Sequence, residues 1–352
     1  HSTVVTALDY HPTTGRLLTG SMDTTARVWA SDPLSRSANG ECRAKMDLHQ
    51  DIVRGVQFLG DRAVTGAMDG SLLVWDVSVL ESLQHPITLS ESGDESDGLP
   101  VEPQPEPEPS DFPSSIAKHP SEAAITHRLT GHRAAINCLQ AWDNWLVSGS
   151  ADRSLRYWDL ATGQEIRSIQ VDWTMQTHVS KYTYEQHDPR GDQFGVGGFI
   201  GDLQFYQYAL ATGTIDGVIR MWDLRTGQTH RSLFGHTQPI TTLTFNEYYL
   251  VSGSRDTTVR IWDMRVGKAV EKLTYGAPVV ALDFDGERIA SSVGDNRLHL
   301  YNTRTFQQSQ IKAHTAPIQT VKWLPTDDLS GPNKSQTWLV GGHDGVIARW
   351  VL

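Results

Sequence analysis

Cysteine is scarce: Cys42 and Cys138 are the only two in 352 residues, which excludes a disulfide framework and points to a reducing compartment. Long apolar runs are missing as well. No stretch approaches the ~18 residues that a membrane-spanning helix needs, and no secretory leader pattern opens the chain. His1 is not a natural initiator, so the native N-terminus is expected to lie outside this sequence. Positive charge is in deficit. Lys and Arg number 30 against 41 Asp and Glu, a net charge of −11, which argues against nucleic acid as the main partner. There is no phosphate loop, C-x-x-C pair, H-E-x-x-H or paired-carboxylate motif, so no enzymatic activity and no cofactor are expected. Gly195, Gly197 and Gly198 flank Val196 without a following helix and read as a hinge. His178, His187 and Asp188 lack metal-ligand spacing and read as loop residues, so no metal is expected either.

What the chain has is tryptophan and glycine: 11 Trp, 30 Gly and a 38% hydrophobic fraction describe a Gly-rich β protein with a sizeable core. Its acidity is concentrated. Residues 90–111 hold eight carboxylates, Glu91, Asp94, Glu95, Asp97, Glu102, Glu106, Glu108 and Asp111, with no Lys or Arg and with prolines interspersed. Such a stretch repels itself and has little to bury. Residues 79–126 are therefore expected to be a mobile acidic, proline-rich insertion, either a solvated spacer or a docking segment for a basic partner.

One phrase recurs along the rest. LLTGSMDTTARVW ends at Trp29, and AVTGAMDGSLLVWD, LVSGSADRSLRYWD, LATGTIDGVIRMWD and LVSGSRDTTVRIWD carry Trp75, Trp158, Trp222 and Trp262. Degraded copies carry Tyr301 and Trp350, and in all seven the Asp lies six residues before the aromatic. Aromatics follow one another at 46, 83, 64, 40, 39 and 49 residues, a bare period of about 40 with insertions at 79–126 and 171–202 and a loop at 325–336 in the last repeat. Within a repeat, Val259 and Ile261 alternate with Thr258, Arg260 and Trp262, the period of a β-strand.

These repeats resemble WD repeats, which implies an all-β fold, a seven-bladed β-propeller spanning residues 1–352. In that family a His, a Ser or Thr, an Asp and a Trp form a hydrogen-bond network. The matching sets are His49, Thr65, Asp69 and Trp75; His132, Ser148, Asp152 and Trp158; and His236, Ser252, Asp256 and Trp262. The first repeat offers His1, Thr19, Asp23 and Trp29. A set repeated from blade to blade is expected to be a folding device and not a catalytic triad. Tyr275 and Val196 stand where two repeats should have the His, and the last repeat has Gly or Val at its hydroxyl position. The family also offsets its repeats from its blades, so the last blade is expected to lack its outer strand here.

The resemblance places rim residues five positions after the His, at Thr6, Arg54, Asn137, Gly201, Thr241, Val280 and Gln319, and before each turn Asp, at Met22, Met68, Arg255 and His343 among others. This mixed ring suits a protein surface, with Arg54 and Arg255 facing partner carboxylates. The stretch from GGFIGDLQFYQY to VRIWDMR, together with the two insertions, is similar to the WD-repeat adaptors of mitochondrial division of fungal and red-algal type. That likeness implies the C-terminal propeller of an adaptor that recruits a dynamin-related GTPase. The whole protein would be cytoplasmic, peripheral on the cytosolic face of the mitochondrial outer membrane, and linked to it through an N-terminal region missing here, with no direct membrane insertion. The alternative is a substrate receptor of a cullin-based ubiquitin ligase, suggested by the W-D-x-R runs at Trp222–Arg225 and Trp262–Arg265.

Overall fold

The computed structural model describes residues 1–30, 41–84, 119–171, 199–324 and 337–351. They form seven antiparallel sheets, six of four strands and one of three, arranged as a seven-bladed propeller. The first blade comprises β1 (Val5–His11), β2 (Arg16–Ser21), β3 (Ala26–Ala30) and β4 (Glu41–Met46). The second has β5 (Val53–Leu59), β6 (Arg62–Ala67), β7 (Leu72–Asp76) and β8 (Ile125–Leu129), with the helix α1 (Val77–Gln84) between its last two strands. The third runs from β9 (Ile136–Trp142) through β10 (Trp145–Ser150) and β11 (Ser154–Asp159) to β12 (Gln164–Gln170). The fourth holds β13 (Ile200–Tyr206), β14 (Ala209–Thr214), β15 (Ile219–Asp223) and β16 (Gln228–Leu233). The fifth holds β17 (Ile240–Phe245), β18 (Tyr249–Ser254), β19 (Thr258–Asp263) and β20 (Lys268–Thr274). The sixth holds β21 (Ala281–Phe284), β22 (Arg288–Ser292), β23 (Arg297–Asn302) and β24 (Gln308–Lys312). The described part of the seventh is β25 (Ile318–Leu324), β26 (Thr337–Gly342) and β27 (Ile347–Val351).

Each blade's first strand lines the central channel. Because strands alternate in direction, connections from first to second and from third to fourth strands share one face, called lower here. Connections from second to third strands and from blade to blade share the upper face. The turn before each third strand follows from its Asp. Asp256 Oδ1 accepts from the Thr258 N–H at 3.0 Å, and Thr257 between them takes a left-handed φ of 67°. Gly70, Gly217 and Gly345 hold the equivalent place with φ of 82°, 74° and 75°, where glycine carries no steric penalty.

Blades pack face to face, and this overrides the alternation read from Val259 and Ile261. Thr258, Val259, Ile261 and Trp262 are all buried, because both faces of the strand are covered by neighbouring blades. Leu8 and Leu17 of the first blade pack with Leu324 and Leu339 of the seventh, which joins the two ends of the ring. The stretch expected as an insertion over 79–126 is described at its two ends. Helix α1 occupies its start with Val77 and Leu80 buried, and a 3-10 turn at Pro120–Ala124 leads into β8. Likewise β13 begins inside the 171–202 stretch. Residues 85–118, 172–198 and 325–336 lie outside the described residues.

Candidate functional site

In the fifth blade His236 bridges a carboxylate and a hydroxyl. Its Nδ1 lies 2.8 Å from Asp256 Oδ2 and its Nε2 lies 2.8 Å from Ser252 Oγ, which accepts from Trp262 Nε1 at 2.9 Å. With Nδ1–H facing the carboxylate, Nε2 accepts from the Ser252 hydroxyl, so one proton order satisfies every group. Asp256 also accepts from the Thr237 N–H at 3.0 Å and the Thr258 hydroxyl at 2.6 Å. Burial alone would raise its carboxyl; the hydrogen bonds from His236 and Thr258 outweigh that and hold it well below the usual carboxylate range. Ser252 is fully buried, so no substrate can reach its oxygen and the set cannot act as a nucleophile with its base.

The third blade repeats this arrangement. His132 lies 3.0 Å from Asp152 and 2.8 Å from Ser148, and Trp158 donates to Ser148 at 2.9 Å. The first blade does so with His1, Asp23, Thr19 and Trp29, at 2.9, 2.6 and 2.8 Å. The second differs. His49 meets Thr65 at 2.7 Å and Trp75 donates to Thr65 at 2.8 Å, but His49 Nδ1 contacts the Ser71 hydroxyl at 2.7 Å and stands 3.8 Å from Asp69. Ser71 in turn donates to Asp69 at 2.5 Å, so it relays the link.

The remaining blades reach the same end by other groups. In the fourth, Arg220 binds Asp216 at 2.6 Å and the Thr214 hydroxyl at 2.7 Å, while Trp222 donates to Thr212 at 2.9 Å. In the sixth, the Ser291 hydroxyl donates to Tyr275 Oη at 3.0 Å, and Tyr301 donates outward to Glu271. In the seventh, Val340 replaces the hydroxyl, and Trp350 donates to the Ala313 carbonyl at 2.8 Å.

All seven residues five places after the His position line one channel of about 310 Å³: Thr6, Arg54, Asn137, Gly201, Thr241, Val280 and Gln319. Two of them are engaged by neighbouring blades. Thr6 donates to the Val53 carbonyl and Thr241 donates to the Val279 carbonyl at 2.8 Å. A Cβ on Gly201 would fall 2.1 Å from the Ile240 carbonyl oxygen, so glycine there serves close approach of two blades. Asn137 Nδ2 is enclosed and has no hydrogen-bond partner among the described residues. Met22, Met68, Arg255 and His343 sit beside this ring, not in it. Their amides bond to Val4, Ile52, Pro239 and Pro317 at 3.0, 2.9, 2.9 and 3.0 Å, tying each turn to the start of its own inner strand. His343 Nε2 reaches Gln319 Oε1 at 3.1 Å and joins the two sets.

Below the mouth runs a girdle that the sequence reading did not pick out. Asp9 accepts from the Phe58 N–H of the next blade at 2.8 Å. Gln57 accepts from Ala141 at 2.5 Å, Gln140 from Phe205, Gln204 from Phe245, and Asp283 from Trp323 at 2.8 Å. Each acceptor sits eight places after the His position, and that spacing was the available signal. In the fifth blade the place is taken by the short Thr244, and in the seventh by Lys322, whose Nζ lies 3.7 Å from Asp9. Asp202 also faces the channel. Burial pushes its carboxyl up to about 7, against hydrogen bonds from the Leu243 and Leu203 amides. Burial would lower Lys322, but Asp9 and Asp283 outweigh it and keep the ammonium charged.

Among the described residues no group of three or more His, Cys, Asp or Glu is placed to hold a metal ion, and no helix is long and apolar enough to cross a membrane. The family description "WD domain, G-beta repeat" matches residues 1–30, 40–76, 124–159 and 227–263. The chain is 30% identical over 419 residues to a protein of Mycosarcoma maydis named Mitochondrial division protein 1, covering 100% of this chain and 50% of that protein. Proteins of the same name from Aspergillus clavatus and Neurospora crassa are 32% and 36% identical, covering 99% and 86% of this chain and 51% and 45% of theirs. The chain thus spans about half the length of the curated relatives it matches. Among solved structures, the computationally designed Ika8 protein superposes with a TM-score of 0.63 at 22% identity, covering 100% of this chain and 97% of that one, which shows the shared fold.

Proposed function

Since the chain is a WD-repeat propeller of the mitochondrial division protein family, we propose that it is the partner-binding half of a non-enzymatic scaffold that recruits a dynamin-related GTPase to the mitochondrial division site. The observation that carries this reading is the ring at the channel mouth. Six of the seven blades bring side chains of mixed chemistry to one opening, the fourth presenting Gly201, and Asn137 brings an amide nitrogen with no partner among the described residues. A side chain entering the mouth would satisfy that donor, and Arg54 and Arg255 would meet its flanking carboxylates. The relatives are about twice as long as this chain. The sealed Ser–His–Asp sets support a structural role and no turnover. The W-D-x-R runs have a local explanation: Arg225 and Arg265 bind Asp223 and Asp263 within their own turns, at 2.9 and 3.0 Å. No separate ligase-receptor role is needed to account for them.

The test is a pulldown with the chain and with its Arg54→Glu/Arg255→Glu variant, from cytosolic and mitochondrial-detergent fractions, read by mass spectrometry. A dynamin-related GTPase retained by the first and lost by the second, at an unchanged unfolding midpoint, is the expected result. A ligase adaptor subunit in its place, or no GTPase from either fraction, would overturn the proposal.

A further inference from the structure

The lower face is uneven. In the third, fourth and fifth blades the turns between first and second strands carry aromatic pairs, Trp142 and Trp145, Tyr206 and Tyr208, Tyr248 and Tyr249, exposed from 38% for Tyr249 to 67% for Trp142. The same turns in the second and sixth blades carry Gly60 with Asp61 and Gly286 with Glu287. Exposed aromatics on three consecutive blades form an arc that a soluble surface rarely leaves without a use. Three of these six rings are braced by neighbours. Tyr206 donates to Glu247 of the next blade at 2.9 Å, Trp145 and Tyr157 stack at 5.4 Å, and the Arg225 guanidinium lies 5.3 Å from the centre of the Tyr208 ring.

A cavity of about 470 Å³ opens beside that arc, between the fourth and fifth blades. Met221, Trp222, Met264 and Tyr208 are among the residues that line it. Around them stand Arg225, Arg231 and His230 against a single carboxylate, Asp223, in a chain whose net charge is −11. Arg225 is matched by Asp223 at 2.9 Å, whereas Arg231 donates to a carbonyl, that of Met264, at 3.0 Å, so the local balance is positive. An apolar lining that includes two thioethers, Met221 and Met264, takes a large aliphatic or aromatic side chain, and the arginines around it favour carboxylates next to it.

We propose that this lower-face pocket is a second docking site, which receives an acidic peptide segment of a partner protein through one apolar anchor residue. It lies on the opposite face from the channel-mouth ring and does not depend on the function assigned to that ring.

The probe is a phage library of random 12-residue peptides, panned on the full chain with a Tyr208→Glu chain as counter-selection. Tyr208 is 59% exposed, so this variant keeps its fold, and its unfolding midpoint checks that. Expected are peptides with one Leu, Ile, Met or Phe beside two or more carboxylates. The synthetic consensus peptide should bind Tyr208→Glu and Arg231→Gln at least tenfold more weakly, and Arg54→Glu as well as it binds the unaltered chain. A neutral or basic consensus, or equal affinity for all variants, would overturn the proposal. Displacement of the consensus by a peptide of residues 97–115, which pairs acidic residues with Leu99 and Phe112, would overturn the choice of an external partner in favour of the chain's own acidic stretch.

Discussion

The fifth and sixth blades are neighbours with the same strand order, yet they bury different chemistry at the same four positions. In the fifth, Ser252 joins His236 to Trp262, and Asp256 gathers an imidazole, a hydroxyl and two backbone amides. In the sixth, the Ser291 hydroxyl meets only Tyr275 among the described residues, and Tyr301 donates to Glu271 on β20 of the fifth blade. His299 packs edge-on against Tyr275 at 5.2 Å and contacts Asp295 at 3.3 Å, from β23, the strand that carries Tyr301. The propeller thus tolerates loss of its repeated set where another group partners the buried hydroxyl, and a phenol can stand in for an imidazole. The fifth blade concentrates its hydrogen bonds on one carboxylate, while the sixth spreads them.

That contrast is open to direct attack. The largest effect is expected from Asp256→Ala, about 2–3 kcal/mol at neutral pH, because it strands an imidazole and two amides. Asp295→Ala should cost under about 1 kcal/mol, and denaturant unfolding of both variants compares them. The Asp256 contribution carries a pH signature. Its carboxyl is lower in the folded protein than in the unfolded chain, so the stabilisation is complete above the unfolded value near 4 and is lost as pH falls below it. The gap between wild type and Asp256→Ala should therefore narrow in acid.

Next in size is Ser252→Ala against Ser291→Ala. The first removes two bonds and should cost about 2 kcal/mol, the second one bond and about 1 kcal/mol. Equal losses would erase the distinction between the blades. In the channel the sign reverses. Asp202 is raised to about 7, so the folded state binds its proton more tightly than the unfolded chain, and stability falls as pH rises from about 4 to 7. Asp202→Asn should flatten that slope, which urea midpoints at pH 5 and pH 7.5 would reveal. The smallest effect is a gain. Thr257 holds a φ of 67°, where glycine is unstrained, and Thr257→Gly is expected to add about 0.5–1 kcal/mol, read as a raised thermal midpoint.

Much of the fold was legible because one short pattern, an Asp six residues before an aromatic, recurs seven times along the chain. The hydroxyl and imidazole partners of that Asp sit at near-fixed offsets, so they too were visible. The substitutes were not. Arg220 fills its blade's polar site from β15, two residues before Trp222, a place where other repeats also carry arginine. Asp9, Gln57, Gln140, Gln204 and Asp283 share a spacing but not a residue type, and their role depends on which side of the inner strand faces the channel. The six aromatics of these first-to-second-strand turns look unremarkable in sequence, because only strand direction brings the turns of three blades to one side. Gly201 falls in the predicted rim for a reason the pattern hides, the approach of the Ile240 carbonyl.

The central proposal is that a dynamin-related GTPase is recognised at the channel mouth. It is tested most directly by titrating the chain, and its Arg54→Glu/Arg255→Glu and Tyr208→Glu variants, with a purified dynamin-related GTPase in a calorimeter. The account predicts saturable binding that weakens at least tenfold in the double variant and is unchanged in Tyr208→Glu. Binding that survives both arginine reversals would contradict it.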